Sequence, residues 1–347
     1  MLPATAFGLA AKGLNARNDA RCGLFRGSLT EPFCGYTESP ILRLLLLAMR
    51  ANVQIGLGEI LSLSSAVVWA VGVILYRRLG DTLPPLRLNF LKNVLVLAAL
   101  IPVTLALEGF ALPSLGLREW ALVLGSGVLG IAVADTLYFG ALNALGAGRM
   151  GIIGNLYSPL VVVLSFVMLD ERLHGRQWLG FALVSAGVLL SAWVPARWRG
   201  DARQPLRGAL FGAASIALMA LAIVMIKRVL EAQPLFWITS LRMFGAVVGM
   251  MALAAVRGEL AALTGGHAPV PWRRLMLAAG FGQGLAMVFW LGGYKYTSAP
   301  VAAILNETAS IFILLLAWIW LGERPGARGI AGVTLAFSGV ALMLMGG

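Results

Sequence analysis

Four ionisable residues interrupt the long apolar runs of this sequence: Lys92, Asp135, Arg242 and Glu307. Left facing lipid at a helix centre, each would cost roughly 2.5–3.5 kcal/mol. They must therefore face the protein interior, one another, or a water-filled cavity. Two are cations and two are anions, and the chemistry this suggests is charge recognition. Lys92 or Arg242 would hold an anionic group of a small ligand, while Asp135 or Glu307 would carry a proton or hold an amine. Two alternatives stay open at this level. The four groups could be ion pairs that brace helices without touching any ligand. Lys92 and Arg242, about two turns from their helix starts, could also snorkel to the membrane interface.

Aromatic and amide residues at similar depth supply a candidate lining: Trp69, Tyr138, Tyr157, Gln283, Trp290 and Tyr294, any of which could stack on or hydrogen-bond a ligand. Tyr294 lies near a span end, so an interfacial aromatic belt is its expected place. Asn155 joins the candidates because it precedes Glu307 by the same interval that separates other paired landmarks, as described below. The residues argue against other chemistries. His174 and His267 are the only imidazoles, and Cys22 and Cys34 form no CxxC pair, so neither a metal site nor any other cofactor is expected. No GxxxxGK[ST] loop is present for ATP. Neither a His-based set nor an Asp-rich pair is visible in the apolar runs, which disfavours a membrane-embedded enzyme. A non-transporting scaffold or partner subunit remains the alternative from another class.

The elements that carry these residues follow from composition. Hydrophobic residues make up 59% of the 347 and charged residues 12%, against roughly 45–50% and about 25% in soluble chains. Too few polar residues remain to cover a soluble core, so the bilayer is the expected solvent. A ruler of about 20 residues per crossing predicts ten spans, at 56–76, 86–107, 120–142, 148–169, 177–194, 208–226, 235–256, 275–294, 299–321 and 329–345. Pro159 is expected to kink the fourth span. The fold class expected is an all-α integral membrane protein. Residues 1–55 read as a tail without a span, either disordered or upstream of a true start at Met49. The net charge of +12 is spread over the ends of apolar runs, which fits anionic headgroups and not nucleic acid as a partner. Counting Lys and Arg on the two sides, tail included, gives no orientation. Homo-oligomerisation is left open.

The two halves repeat. Arg77-Arg78 returns as Lys227-Arg228, Pro84 as Pro234 and Lys92 as Arg242, each 150 residues on. Tyr138 returns as Trp290, Gly140 as Gly292, Asn155 as Glu307, Glu171-Arg172 as Glu323-Arg324 and Gly187 as Gly339, each 152 residues on. Repeats at 56–194 and 208–347, joined by a basic linker at 195–207, would hold five spans each. An odd number turns the second copy upside down, which is the architecture of secondary transporters with a midplane site.

The chain resembles the EamA-type members of the drug/metabolite transporter superfamily. The resemblance rests on the span count, the duplication, the Ser65-Ala66-Val67-Val68-Trp69-Ala70 region and the basic position Lys92/Arg242. It rests also on a motif present twice: Leu169-Asp170-Glu171-Arg172-Leu173 before Gly180 and Gly187, and Leu321-Gly322-Glu323-Arg324-Pro325 before Gly332 and Gly339. The resemblance implies ten helices, movement of small metabolites, amino-acid-like compounds or drugs across the cytoplasmic membrane, no ATP hydrolysis, and both termini in the cytoplasm. Export and proton coupling are further expectations. The loop between the second and third spans departs from the family pattern in carrying only Arg118.

Overall fold

Apolar runs punctuated by Pro, Gly and charge become helices because a backbone in lipid can satisfy its polar groups only within its own segment. The computed structural model describes residues 56–80, 83–145, 150, 153–192, 203–264, 270–321 and 327–345. Its longer helices are α1 (Leu57–Gly80), α2 (Pro85–Glu108), α3 (Leu117–Leu145), α4 (Tyr157–Leu169), α5 (Gly175–Ala192), α6 (Arg203–Ala232), α7 (Leu235–Val256), α8 (Trp272–Tyr296), α9 in two pieces (Ala299–Glu307 and Ala309–Leu321) and α10 (Ala327–Leu344), with a single turn at Leu260–Thr264 between α7 and α8. Six helices among the described residues are long and apolar enough to cross a bilayer: α2, α3, α6 over Leu206–Ala232, α7, α8 and α10. Shorter apolar stretches lie in α1, α4 and α9. The tail at 1–55 with its two cysteines, most of the linker expected at 195–207, and Glu323-Arg324 lie outside the described residues.

Proline starts several of these helices because its missing N–H is an orphan there in any case. Pro85 occupies the first turn of α2 after Pro84, Pro234 immediately precedes α7, and Pro300 sits in the first turn of α9. Two polar side chains close helix ends. Glu108 at the end of α2 accepts hydrogen bonds from the N–H groups of Phe236 and Trp237 at 3.0 and 2.7 Å, which places negative charge at the positive end of α7. Lys295 donates to the carbonyls of Leu230 and Glu231 at the end of α6 and of Gln233 just beyond it.

The duplication reappears as reciprocal packing. Gly72 of α1 lies against Gly282 of α8, and Ala222 and Gly130, 150 residues on and 152 residues back, touch in the same way between α6 and α3. Gly58 packs on Thr297, and its counterpart Gly208 packs on Leu145, the counterpart of Thr297. Each half thus lends its first helix to the other half's third. α5 and α10, themselves counterparts, meet through four glycines. A Cβ on Gly180 would stand 2.8 Å from the Gly339 carbonyl, and one on Gly187 would stand 2.5 Å from that of Gly332. Numbering rises along one helix as it falls along the other, so the pair is antiparallel. Small residues allow this backbone approach where no hydrophobic effect drives helices together. Counterparts α2 and α7 are antiparallel too, since Thr104 near the end of α2 bonds Ser240 near the start of α7 at 2.8 Å.

Irregular backbone also recurs in register. α3 contains a π-helical turn at Val128–Val133 and α8 one at Gly280–Leu285, 152 residues apart. Just before α4 the Leu156 N–H turns back to the Ile153 carbonyl at 3.0 Å, and in α9 Thr308 does the same to Leu305 at 3.2 Å. These counterpart bonds skip one residue fewer than an α-helix does, so both helices break at the same place. Pro159 accounts for the first break, since it cannot donate to Asn155 and is tolerated in the opening turn of α4. The counterpart of Pro159 is Ile311, not a proline. There the hydroxyl joins the N–H in bonding Leu305, at 2.6 Å, a local bond that competes with the helical one.

Candidate functional site

A π turn frees a carbonyl that the regular ladder would have used, and here side chains from neighbouring helices take up such groups. Asn89 of α2 donates to the Ile131 carbonyl in the π turn of α3 at 2.8 Å. Next to the turn of α8, Ser65 donates to Ala286 at 3.2 Å and Tyr76 donates to Ala278 at 2.7 Å. The two π turns therefore stand where polar side chains gather.

The first gathering surrounds Lys92, which is fully buried. Its ammonium donates to Asp135 Oδ2 at 2.7 Å and to Gln283 Oε1 at 2.9 Å. It also lies 5.1 Å from the ring centre of Phe139 and 5.7 Å from that of Tyr76, close enough for the ring faces to attract the charge. Trp69 and Tyr138 extend this aromatic wall, with ring centres 6.5 Å from Tyr76 and 6.0 Å from Phe139. Helices α1, α2, α3 and α8 all contribute. Lys92 thus does not snorkel. It is braced by a carboxylate, an amide and two rings.

The second gathering differs. Arg242 of α7 is 2% exposed, and its Nε and Nη1 have no hydrogen-bond partner. Among the described residues no carboxylate lies within ion-pair distance of it. Its guanidinium carbon sits 5.1 Å from the ring centre of Trp290. Trp290 meets Tyr294 edge-on at 5.2 Å, and the Tyr294 and Tyr157 hydroxyls share a hydrogen bond at 2.8 Å. Tyr294 is fully buried, so it does not stand in the interfacial belt that its position near a span end suggests; the hydroxyl partner supplied by Tyr157 makes that depth tolerable.

Glu307 ends the first piece of α9 and is 8% exposed. Its Oε1 accepts the Ser158 N–H at 3.1 Å, whereas Oε2 has no partner. The carboxylate thereby caps the broken start of α4, where the helix dipole favours negative charge. Its counterpart Asn155 is half-buried beside the equivalent break, with Nδ2 unpartnered.

The structure thus brings Lys92, Asp135 and Gln283 into direct contact, sets Trp69 and Tyr138 along the wall around them, and places Arg242 on Trp290. Glu307 and Asn155 mark the two broken helices. Tyr76, Phe139, Asn89 and Ser158 belong to the same gatherings and are not among the sequence candidates. Asn89 has a signal in sequence: with Lys92 and Asn93 it forms a polar stripe at helical spacing in a largely apolar helix. Helices α3 and α8 join the gatherings, since α3 holds Asp135 against Lys92 and brings Gly130 beside the Arg242 guanidinium, while α8 carries both Gln283 and Trp290.

Outside this central region, Glu171 links three elements at one end of the bundle. Its Oε2 accepts the Ala299 N–H at the start of α9 at 2.6 Å, and its Oε1 lies 3.7 Å from the buried ammonium of Lys227 in α6. Lys227 is also paired with Glu231 one turn on.

Comparison with known proteins agrees with the doubled fold. The model of the EamA-like transporter family matches residues 56–193 and again 206–345. Protein PecM of Dickeya dadantii (strain 3937) is 25% identical over 253 residues, which cover 68% of this chain and 76% of PecM. The UDP-N-acetylglucosamine transporter of Homo sapiens is 25% identical over 200 residues, 54% of this chain and 60% of that protein. One crystal structure superposes with a TM-score of 0.68 over 82% of this chain and 95% of its own, at 20% identity.

Proposed function

Because the chain belongs to the EamA-like transporter family, we propose that it is a secondary transporter that exports small metabolites, amino-acid-like compounds or drugs across the cytoplasmic membrane. Its helices cross the bilayer ten times as two inverted five-helix repeats, covering 56–194 and 208–347, with both termini in the cytoplasm. The observation that carries this reading is the reciprocal packing of counterpart helices together with breaks at counterpart positions in α4 and α9. Inverted repeats with discontinuous helices at matching positions place a substrate near the midplane and let one half rock against the other. The two halves share these packing contacts in exchanged roles, so a conformation open to one side implies a near-equivalent one open to the other. This is what alternating access needs, and neither a pore nor a scaffold does.

Lys92, Asp135, Gln283, Trp69 and Tyr138 on one side, and Arg242, Trp290, Asn155 and Glu307 on the other, line the path in this reading. Glu307 is the proton carrier, since its second oxygen is buried without a partner beside a helix start. The test is flux by the purified chain alone in proteoliposomes, screened with labelled amino acids, sugars and nucleosides under an imposed pH gradient. Uptake above protein-free liposomes that follows the gradient, and that loses this dependence in Glu307→Gln, is expected. Absence of flux for every class would leave a non-transporting partner subunit as the better reading. Flux indifferent to both the gradient and Glu307→Gln would remove proton coupling alone.

A further inference from the structure

The two halves handle their equivalent cations in opposite ways. Around Lys92 the carboxylate is Asp135 and the amide is Gln283, at 2.7 and 2.9 Å. The counterpart of Asp135 is Met287, and the counterpart of Gln283 is Ile131. Each polar group that pairs with Lys92 thus has an apolar counterpart in the opposite repeat. The aromatic contact alone is retained, through Trp290. What remains is a permanently charged guanidinium, 2% exposed, with two donor nitrogens unused. An uncompensated buried charge is among the most costly features a fold can carry, and arginine does not relieve it by losing its proton. Among the described residues no carboxylate pairs with Arg242 at ion-pair distance, and a counter-ion from outside the chain would fit this position.

We propose that Arg242 is the seat of a small organic carboxylate, bound through Nε and Nη1 beside Trp290, and that the chain has this seat in its second half only. It rests on the transport reading solely in treating that carboxylate as the cargo. Charge balance sets the class. One guanidinium offers one positive charge, and the other buried cation of the region is already neutralised by Asp135, so a single negative charge is matched and a phosphate dianion is not. The apolar replacements at 287 and 131 and the ring of Trp290 suit a carboxylate carried on an apolar or aromatic body. The hydroxyl pair of Tyr157 and Tyr294 bounds the region on the side of α4, and the free oxygen of Glu307 beyond it disfavours a second anionic group there.

The experiment is thermal unfolding of the full chain in phosphatidylcholine nanodiscs, with acetate, benzoate or indole-3-acetate added against chloride at equal ionic strength. At saturation at least one monocarboxylate is expected to raise the midpoint by roughly 5–10 °C, and inorganic phosphate is expected to raise it by far less. Arg242→Gln should abolish the rise. Met287→Asp rebuilds in the second half the pair found in the first. It should raise the midpoint without ligand and abolish the further rise with carboxylate, and it decides the matter even if Arg242→Gln does not fold. No rise with any of the three carboxylates, or an undiminished rise in Met287→Asp, overturns the proposal. So does a rise produced by phosphatidylglycerol in the disc in place of free carboxylate, which would assign Arg242 to a lipid headgroup. Flux keeps the two readings apart: cargo movement with no carboxylate effect removes the seat and leaves the transporter, and a carboxylate effect without flux does the reverse.

Discussion

The pair formed by Lys92 and Asp135 sets a measurable stake. At an effective dielectric of about 20, unit charges 2.7 Å apart attract by about 6 kcal/mol, and burial of both ions consumes much of that gain. Removing one partner exposes the asymmetry, because the survivor keeps its desolvation cost without its compensation. Asp135→Asn preserves shape and leaves a hydrogen-bond acceptor for Lys92, yet it removes the counter-charge of an ammonium with no solvent access. The Gln283 amide and the rings of Tyr76 and Phe139 stay in place, so the loss should fall near the lower end of the roughly 3–5 kcal/mol usual for a broken buried pair. At roughly 2 °C per kcal/mol for a large domain, the thermal midpoint in detergent should drop by about 6 °C or more.

The control is Lys92→Met combined with Asp135→Leu. With both charges gone, the desolvation cost disappears as well, and only the Gln283 oxygen is left unpaired, at about 1–3 kcal/mol. The double variant should therefore be clearly more stable than Asp135→Asn alone. A midpoint for Asp135→Asn within about 1 °C of the parent would mean less than about 1 kcal/mol of coupling and would refute the bracing role assigned to this pair. A double variant as unstable as the sum of Lys92→Met and Asp135→Leu would do the same.

Three further outcomes are expected. Gly187→Val and Gly339→Val should each destabilise the fold by at least about 1–3 kcal/mol through overpacking, and by similar amounts, because their added Cβ atoms would meet the facing backbone at 2.5 and 2.7 Å; thermal midpoints compare them directly. Tyr157→Phe or Tyr294→Phe alone should cost about 1–3 kcal/mol by leaving a buried hydroxyl unpaired, and the double variant should cost no more than either single one, which denaturant titration can read. Glu171→Ala removes both the Lys227 contact and the acceptor of the Ala299 N–H, so a cysteine placed at Ser298 should react with maleimide several-fold faster than in the parent.

The duplication could be read as arithmetic because equal offsets survive in any alignment of the halves, and the same offsets organise the packing. Gly58 with Thr297 and Gly208 with Leu145 are one contact written twice. Partner choice inside the core could not be read in this way. Nothing in the residue types tells whether Lys92 answers Asp135, Glu307 or a ligand, since the answer depends on how α2 and α3 are rotated about their axes. The π turns left no trace either. Val128–Val133 is a plain apolar stretch, and the turn declares itself only through the carbonyl that Asn89 collects from another helix. The break at the start of α4 is half visible in sequence, through Pro159, whereas its counterpart at Thr308 has no proline nearby and is fixed by a hydroxyl that serves as well in an unbroken helix. The departures from symmetry carry the functional information. A doubled fold is kept by contacts that both copies share, so positions where one copy retains charge partners and the other has lost them are the ones packing does not explain. Asp135 against Met287, and Asn155 against Glu307, are such positions, and they fall on the π-turn spans and the broken helices. Folding alone would be better served by an ion pair at Arg242 like the one Lys92 makes; without a carboxylate partner among the described residues, Arg242 fits a ligand that supplies the charge.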